Sequence, residues 1–379
     1  MRILINCLSF ASGGAVAYLR NLLPELLRLA EEQAEHQVAV LVHPHYVPLL
    51  APLRGSRTEI IPGPRVGTAA RMLWERVKMQ RLVHRLQSEV VFVPYQVAPP
   101  LDGVRQVVVL RNLEPFLYRN YSYGIRPAAR NRLLRLASVR TLRRAHRVIA
   151  VSQYAKQLAE SILGLDSGKV RVVYHGRDTT SMDQAGRSDG QRMLESVVSG
   201  PCVFSCGSLL PYRRVEDVIS AFSRATRALP RDARLVIAGS GSDPRYRAVV
   251  ARAIQASGVA DRIIMLGQIP YETVKALYSR CTLFVTATEV EACPNILIEA
   301  MASGCAILAA RAPPTPEILG EGGMMFSPRD VDGLAKQMAS LFTDYESLAK
   351  LHAGALRQAQ RYDWGRCAQA TLDAITRWN

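Results

Sequence analysis

Residues 291–304 read EACPNILIEAMASG, and this stretch decides which fold the rest of the chain is expected to adopt. Pro294 has a ring-fixed φ and no N–H, so it suits the first position of a helix, whereas Gly304 suits the residue just past its end. Apolar side chains at helical spacing are expected to face a core: Ile296, Leu297, Ala300 and Met301. The stretch therefore predicts a short helix that packs against a core.

Two carboxylates frame the start of this helix, because Glu291 precedes it and Glu299 projects from its second turn. A helix N-terminus exposes unpaired N–H groups and the positive end of the helix dipole, so it suits a diphosphate. Ionised carboxylates only accept hydrogen bonds and therefore suit hydroxyl groups. The pair indicates a site for a ligand that has both phosphate and hydroxyl groups. The alternative is an amphipathic helix whose carboxylates are solvated.

Length and composition limit the class of protein. A chain of 379 residues predicts two or three domains, and 49% apolar with 21% charged residues is typical of a globular protein. No apolar run approaches the ~20 residues that a membrane-spanning helix needs, and the chain opens on an apolar strand. We therefore expect neither a signal peptide nor a span, and a location in the cytoplasm or at the inner face of a membrane.

The seven cysteines lie at positions 7, 202, 206, 281, 293, 305 and 367, without the paired spacing of a metal site. Most lie in apolar segments, where a reduced thiol behaves as a small buried hydrophobe. This pattern predicts a reducing compartment and no metal site.

The net charge of +16 is unevenly distributed. Residues 1–196 contain 28 Lys and Arg against 15 Asp and Glu, whereas residues 197–379 contain 20 against 17. A basic first half predicts an anionic partner, which could be an acidic membrane surface, a phosphorylated acceptor or nucleic acid.

Strand and helix patterns alternate along both halves, as in doubly wound parallel sheets. Helices are predicted in the first half at 15–31 and 69–87. Strands are predicted at 2–6, 37–42, 90–94, 106–110, 148–152 and 170–175, and then at 202–206, 235–238, 263–266, 283–286, 306–309 and 324–326. The polar residues 179–200 between the halves predict a linker.

Glu291, seven intervening residues, Glu299 and the run EAMASG resemble the signature of the retaining glycosyltransferases of family 4, also called glycosyl transferases group 1. The resemblance implies an α/β GT-B fold, in which two Rossmann-like domains face a central cleft. It implies an acceptor-side domain at 1–178, the linker at 179–200, a nucleotide-sugar domain at 201–360 and a helix at 361–379 that crosses back to the first domain.

The resemblance also implies roles for the opening stretch. Glu291 is expected beside the donor sugar, and Glu299 is expected to bind the ribose of the nucleotide. Backbone groups between them are expected to hold the diphosphate: Cys293, Pro294, Asn295 and Ile296.

A loop after the strand at 202–206 reads GSLLPYRR. In the family, a basic pair in this loop neutralises the leaving diphosphate. Arg213 stands at the position of the family's Lys, and a guanidinium can bind phosphate through two hydrogen bonds. Ser208 stands where an Arg is often found, so Arg214 is the substitute second cation, with a solvated surface Arg as the alternative.

Three further loops follow predicted strands and are expected at the ligand-binding edge of their sheets. In the second half, Gly207, Gly239 and Gly241 are expected to line the donor site, and the family binds the nucleotide base through backbone groups near Gln268 and Ile269. In the first half, Gly13 and Gly14 form a glycine loop, and a similar loop in the family faces the cleft near the acceptor and the donor phosphates, so both are expected to contact the nucleotide sugar. A tight turn is the alternative for that loop.

Arg111 and Asn112 follow the strand at 106–110, where many family members have a His-Asp pair. An imidazole base is therefore absent. Arg111 could face the donor phosphate or an anionic acceptor, and Asn112 could bind a sugar hydroxyl. His175 and Asp178 close the first domain, where His175 is predicted to be structural and Asp178 to hold a hinge.

Residues 126–147 contain eight arginines and no acidic residue, interleaved with apolar side chains. A basic amphipathic helix of this kind could lie on anionic lipid. The alternative is a helix packed on the core with a solvated basic face. Cations in the helix at 71–85 favour a membrane or an anionic acceptor.

The leading hypothesis is a retaining hexosyl- or N-acetylhexosaminyltransferase that moves a sugar from a nucleotide-diphosphate donor to a glycan or lipid-linked acceptor. No Asp-x-Asp pair lies at the donor site, so we expect neither a metal nor a cofactor. The alternatives are a nucleotide-sugar epimerase of the same fold, or a non-catalytic protein that binds nucleic acid or a membrane. No zinc finger or known nucleic-acid module is present in the sequence, so nucleic acid is not the expected partner.

Overall fold

A computed structural model describes residues 1–9, 14–178 and 200–378, which fall into two compact units. The first unit contains Met1–Pro115, Arg132–Gly176 and Asp363–Asn379, and the second contains Phe116–Asn131 and Arg177–Tyr362. The linker predicted at 179–200 lies outside the described residues except for Gly200, as does Gly13 of the predicted glycine loop.

The first unit contains a parallel sheet with seven strands among the described residues, in the order β3-β2-β1-β4-β5-β6-β7. Its strands are Arg2–Asn6 (β1), Gln37–Val42 (β2), Thr58–Pro62 (β3), Val90–Val93 (β4), Arg105–Leu110 (β5), Arg147–Ala150 (β6) and Val170–Val172 (β7). Helices between these strands are Gly14–Gln33 (α1), Val47–Leu50 (α2), Thr68–Arg85 (α3), Glu114–Leu117 (α4), Ile125–Arg144 (α5) and Gln153–Leu163 (α6).

Strand β3 was missed by the sequence analysis. It lies at an edge of the sheet, so its residues alternate between buried and exposed, unlike the buried runs of the central strands. It also ends in a proline, which lacks the N–H that a central strand needs.

The second unit contains a parallel sheet with six strands among the described residues, in the order β10-β9-β8-β11-β12-β13. Its strands are Cys202–Cys206 (β8), Arg234–Ala238 (β9), Ile263–Gly267 (β10), Leu283–Thr286 (β11), Ile307–Ala310 (β12) and Met324–Phe326 (β13). Its helices are Val215–Ala225 (α7), Pro244–Ala256 (α8), Tyr271–Arg280 (α9), Asn295–Ala302 (α10), Thr315–Leu319 (α11), Val331–Thr343 (α12) and Tyr345–Ala359 (α13). The predicted α/β architecture of two parallel-sheet domains is thus confirmed.

Helix α10 is the helix predicted from the opening stretch, with two local differences. It begins at Asn295, so Pro294 precedes it at the N-cap instead of occupying its first position. Ile298 is fully buried, whereas Ile296 is only half-buried. Gly304 ends the helix as predicted, at φ +66°, and the N–H of Cys305 donates to the Ala300 carbonyl across the turn.

A last helix, Trp364–Thr376 (α14), belongs to the first unit and packs along α1. Its first residue stacks on His175, with ring centroids 5.7 Å apart, and the edge of the Trp364 ring meets Tyr18. A Cβ on Gly176 would lie 2.2 Å from the Trp364 nitrogen, so only glycine fits there. His175 is 4% exposed, consistent with the structural role predicted for it.

Loops at the carboxyl edge of the second sheet are tied together by backbone hydrogen bonds. The Gly207 N–H donates to the Ala238 carbonyl at 3.0 Å, and the Gly239 N–H donates to the Gly267 carbonyl at 2.7 Å. Gly239 has a φ of +137°, and a Cβ built on it would lie 1.8 Å from the Gly207 carbonyl oxygen. This close approach of two backbones requires glycine.

We expect Gly239→Ala to lower the free energy of unfolding by ~3 kcal/mol or more, because backbone strain and steric overlap add. Gly258→Ala is the matched control, since Gly258 has a φ of +70° and a Cβ there would meet no neighbouring group within 4 Å. It should cost about 1 kcal/mol, from φ alone. Urea unfolding of both variants measures the difference, and equal losses would contradict the steric argument.

Candidate active site

The strand order of the second sheet reverses between β8 and β11. From β8 the chain proceeds through β9 and β10 to one side and then returns to β11 on the other. Loops after two such neighbouring strands diverge and leave a crevice at the carboxyl edge, where ligands bind in open α/β sheets. Arg213 lies in the loop after β8, and Glu291 lies in the loop after β11.

Arg213 and Glu291 form an ion pair at this edge, with Nη1 of Arg213 2.5 Å from Oε1 of Glu291. Their side chains are only 15% and 20% exposed. Burial raises the pKa of Glu291, which the Arg213 charge opposes. Burial disfavours the charged guanidinium too, yet the Glu291 carboxylate holds the pKa of Arg213 above its ordinary value. Arg213 is therefore cationic at every physiological pH.

The Arg213 guanidinium keeps unused hydrogen-bonding capacity. Its Nη1 donates to Oγ1 of Thr288 at 3.3 Å, and Thr288 in turn hydrogen-bonds Thr286 at 2.9 Å. Its buried Nε has no acceptor among the described residues. A buried N–H without a partner is costly, so an anionic oxygen supplied by a ligand would satisfy it.

Glu299 lies in a second polar cluster, beside Tyr271, Lys275 and Asp178. Lys275 is paired with Asp178 at 3.2 Å, and Tyr271 hydrogen-bonds Glu299. Burial raises the pKa of Glu299 to about 8, and the Asp178 carboxylate adds to the shift, while Lys275 and the Tyr271 hydrogen bond oppose it. Two carboxylates share one ammonium group here, so a ligand that donates hydrogen bonds would stabilise the ionised form of Glu299.

Cys206, the last residue of β8, lies near both clusters, since the Glu299 carboxylate raises and the Arg213 charge lowers the pKa of its buried thiol. The N-terminus of α10 separates Glu291 from Glu299 along the chain. Residues that lead into that helix are tightly packed, with Cys293 only 7% exposed. Helix α10 then begins at Asn295, so the N-terminal N–H groups of the helix lie at this edge of the sheet.

The other residues predicted for the donor site lie in the segments that follow β8, β9 and β10. Arg214 is held by two carboxylates, at 3.0 Å from Glu216 and 2.7 Å from Asp217. Ser208 is exposed, Gln268 is exposed and Ile269 is half-buried, all in loops after β8 or β10. Gly241 lies under Leu209, whose N–H donates to the Ser240 carbonyl at 2.9 Å.

In the first unit, Arg111 and Asn112 follow β5 as predicted, and Gln96 fixes their backbone. The fully buried Gln96 accepts from the N–H of Asn112 at 2.9 Å and donates to its carbonyl at 2.6 Å. The Asn112 side chain accepts from the Glu114 N–H at 3.0 Å, so its oxygen serves the start of α4. The Arg111 guanidinium lies 4.9 Å from the centre of the Tyr18 ring. Gly14 is the first residue of α1.

Several polar residues of these clusters were missed from the sequence, among them Tyr271, Lys275, Thr288 and Gln96. Thr288 comes two residues after β11, so its place at a strand end was a usable signal. Tyr271 begins α9 and Gln96 lies three residues after β4, and neither has a motif around it. Only the folded contacts connect them to Glu299 and to Arg111 and Asn112.

Two family models match the chain. The model described as "Glycosyl transferases group 1" matches residues 192–358, and the model described as "Glycosyltransferase Family 4" matches residues 12–181. The chain belongs to the glycosyltransferases of family 4. The family expected from the sequence is thus confirmed, and the two models together match both halves of the chain.

Curated relatives include several transferases. The chain is 25% identical to the serotype-specific mannosyltransferase WbdA of Escherichia coli, over 75% of this chain and 35% of that protein. It is 24% identical to the D-inositol 3-phosphate glycosyltransferase of Nocardia farcinica over 61% of its chain and 52% of the relative. The chain thus spans about a third to a half of the length of these relatives.

Solved structures share the fold. HepE of Anabaena, crystallised with UDP and glucose, is 19% identical, and the match covers the whole of both chains with a TM-score of 0.72. A glycosyltransferase from Rickettsia africae is 15% identical with the same TM-score, over 100% of this chain and 98% of its own. At these identities the likeness establishes the GT-B fold.

Within the described ranges, no helix of the chain has the length and apolar character needed to cross a bilayer.

None of the seven cysteines forms a disulfide bond, and all of them except the half-buried Cys206 are buried.

The raised pKa of Glu299 predicts a pH dependence of stability. Between about 4.5 and about 8 the folded protein keeps a proton on Glu299 that the unfolded chain releases. The free energy of unfolding should therefore fall as pH rises through this window, by up to ~1.4 kcal/mol per pH unit.

Glu299→Gln stays neutral and should lose this component. Urea unfolding of the wild type and the variant, from pH 4.5 to pH 8, isolates it as the difference between two curves. Parallel curves would show that Glu299 titrates normally in the folded protein.

Proposed function

We propose that the chain transfers a hexosyl or N-acetylhexosaminyl group from a nucleotide-diphosphate sugar to an acceptor hydroxyl, with retention of configuration at the anomeric carbon. The observation that carries the proposal is the Arg213–Glu291 pair at the edge between β8 and β11, beside the N-terminus of α10. A fixed cation, an unsatisfied guanidinium N–H and helix N–H groups converge there, and together they suit a diphosphate.

In this proposal the donor diphosphate binds between Arg213 and the start of α10. Glu291 orients hydroxyl groups of the sugar, and Glu299 accepts hydrogen bonds from the ribose. Arg213 would stabilise the negative charge that develops on the departing diphosphate, which is the kind of preorganised electrostatic contribution that dominates many enzymes. Backbone groups near Gln268 and Ile269 would hold the base.

Retention is proposed to arise on one face of the sugar. The bond from the anomeric carbon to the phosphate oxygen breaks, and the bond to the acceptor oxygen forms on the same side. The acceptor proton passes to the departing phosphate oxygen. Glu291 is engaged by Arg213 at 2.5 Å, and this contact supports an orienting role for its carboxylate instead of a nucleophilic one.

Substrates are proposed from the relatives and from charge. The mannosyltransferase relatives favour mannose as the transferred sugar. The UDP-bound neighbour favours uridine as the nucleoside of the donor. The acceptor would be a glycan or a lipid-linked molecule. Arg111, Asn112 and the glycine loop at Gly13 and Gly14 would lie on the acceptor side. The proposed location is the cytoplasm, at an anionic membrane surface.

Arg213→Gln should reduce kcat by about 10²- to 10³-fold, because it removes one preorganised charge from the leaving group. A panel of nucleotide sugars is first screened for the donor that raises the unfolding temperature. Release of nucleoside diphosphate from that donor is then followed with and without acceptor.

The matched control is Arg224→Gln, which removes an ion-paired arginine in α7 of the same unit. It should retain wild-type turnover. Nucleotide-sugar conversion that needs no acceptor would support an epimerase instead of a transferase. A kcat for Arg213→Gln within a few-fold of the control would remove Arg213 from the mechanism.

Turnover is proposed to be independent of metal ions, since Arg213 and the helix N-terminus supply the positive charge that a divalent cation supplies in other transferases. Excess chelator should leave the initial rate unchanged, measured as release of nucleoside diphosphate. A rate that disappears with chelator and returns with magnesium would contradict this proposal.

A further inference from the structure

Helix α3 of the first unit exposes apolar side chains that the proposed transfer does not use. Leu73 is 64% exposed, Val77 is 52% exposed and Met72 is 40% exposed. Leu73 and Val77 are four residues apart, so they share one face of the helix. Three large apolar side chains in two turns of one helix are more than the scattered exposure that is normal on a soluble surface.

Helix α5 has a similar outward face. Leu133 is 68% exposed and Leu136 is 49% exposed, and their spacing of three residues places them side by side. Leu142 on the opposite side of the same helix is fully buried. The helix therefore packs on the core through one side and still presents leucines to solvent through the other, so packing on the core does not account for them.

Cations surround both groups of apolar side chains. Exposed Lys and Arg on α3 are Arg76, Lys78, Arg81 and Arg85, and those on α5 include Arg132, Arg140, Arg143 and Arg144. The single acidic residue of α3, Glu75, is buried and hydrogen-bonded to Asn6 at 2.7 Å. Helix α5 has no acidic residue at all. The charge on these two outward faces is therefore entirely positive.

On helix α1 of the same unit, by contrast, an exposed arginine is paired with acidic side chains. Its exposed Arg28 lies between two carboxylates, at 2.9 Å from Glu25 and 2.6 Å from Glu32. Within the described part of the chain, Arg76, Arg81 and Arg140 form no such pair. Arg76, Arg81 and Arg140 are thus available to an external anion.

The topology of the first sheet places α3 and α5 on one side of it. The β3-to-β4 and β5-to-β6 connections run in the same direction across the sheet, and right-handed crossovers put both helices on the same face. The loop at 94–104 contacts both. Gln80 of α3 and Asp102 exchange hydrogen bonds of 3.0 Å, and Thr141 of α5 accepts from the Ala98 N–H at 3.2 Å.

We propose that the outward faces of α3 and α5 form a docking surface for an anionic lipid bilayer. Leucine, valine and methionine side chains would enter the interface between headgroups and acyl chains, while the surrounding cations bind lipid phosphates. Long Arg and Lys side chains can lay their methylene groups along the apolar surface and keep the charge at headgroup level.

The apolar side chains decide between a bilayer and nucleic acid. Binding to a nucleic-acid backbone rests on cations and phosphates, and exposed leucines add nothing to it. A bilayer uses both features of this surface. The inference deepens the proposed function, because it names the surface through which the acceptor-side unit would meet a lipid-linked acceptor, but docking itself is measurable without any sugar.

The test is sedimentation of the full chain with vesicles of phosphatidylcholine alone or mixed with phosphatidylglycerol. The charge variant is Arg76→Gln/Arg81→Gln/Arg140→Gln, and the apolar variant is Leu73→Ser/Leu133→Ser. A matched control, Arg227→Gln/Arg247→Gln/Arg252→Gln, removes three exposed arginines from the second unit. Unfolding temperatures establish that all variants are folded.

The wild type should bind the anionic vesicles and not pure phosphatidylcholine, and added salt should weaken binding. The charge variant should bind about a hundred-fold more weakly, since each cation near an anionic surface contributes about five-fold. The apolar variant should bind at least about ten-fold more weakly. The control should bind within about two-fold of the wild type, because its arginines lie outside the proposed surface.

Several results would overturn the proposal. Equal losses in the charge variant and the control would mean that net charge alone drives binding. An apolar variant that binds like the wild type, together with tight binding of RNA, would assign the surface to a polyanion. Self-association that disappears in the apolar variant, without vesicle binding, would assign it to a second copy of the chain.

The same proteins separate this inference from the proposed function. Stabilisation by nucleotide sugar should be unchanged in all three variants, because none alters the residues assigned to the donor. Vesicle binding without any response to nucleotide sugars would leave the docking surface standing and remove the transferase proposal. Sugar transfer without binding to vesicles would support the transferase proposal and remove the docking surface.

Discussion

The ion pair between Arg213 and Glu291 is the interaction on which the candidate site depends. It joins the loop after β8 to the loop after β11, the two neighbouring strands at which the order of the second sheet reverses. A partly buried guanidinium needs a counter-charge, and a partly buried carboxylate needs a cation, so each group holds the other at the edge of the sheet. Removing either partner would leave an uncompensated charge.

The backbones of neighbouring loops approach each other closely near this pair, which explains why glycines occur there. Gly207 and Gly239 directly follow β8 and β9, and Gly267 is the last residue of β10. Main-chain hydrogen bonds join their loops, and there is no room for a Cβ at Gly239. The Arg213 guanidinium packs against Gly207, where an added Cβ would lie 3.6 Å from its Cζ, so main-chain groups support it on one side. Such fixed positioning matters in a site that stabilises charge, since groups already in place need no reorganisation during the reaction.

The excess positive charge of the chain is organised by the fold. In the second unit, the cations of the site are matched by carboxylates, as in the pairs of Arg213, Arg214 and Lys275. On α3 and α5 of the first unit, cations accompany exposed leucines and the only acidic residue is turned inward. The same residue types thus serve a ligand site in one place and an outward surface in the other.

Sequence by itself determined the family, the two parallel sheets, and the position of Glu291 before and Glu299 within one helix. These rest on local chemistry: apolar runs of strand length, a proline before a helix, a glycine after it, and a motif contained in fourteen residues. Local signals also placed Arg213, Gly239 and Arg111 in segments that follow strands. They put the start of α10 one residue too early and missed the edge strand β3.

Only the tertiary structure decided which side chains meet. Glu291 is 78 residues from Arg213 in the chain, and Glu299 is reached by Asp178 from one segment and by Tyr271 and Lys275 of α9 from another. Tertiary packing also decided which side of α5 meets the core, since Leu142 is buried while Leu133 and Leu136 on the other side face outward. The physical reason is that burial and pairing depend on what packs against each side chain, and periodicity along the sequence carries no record of that neighbour.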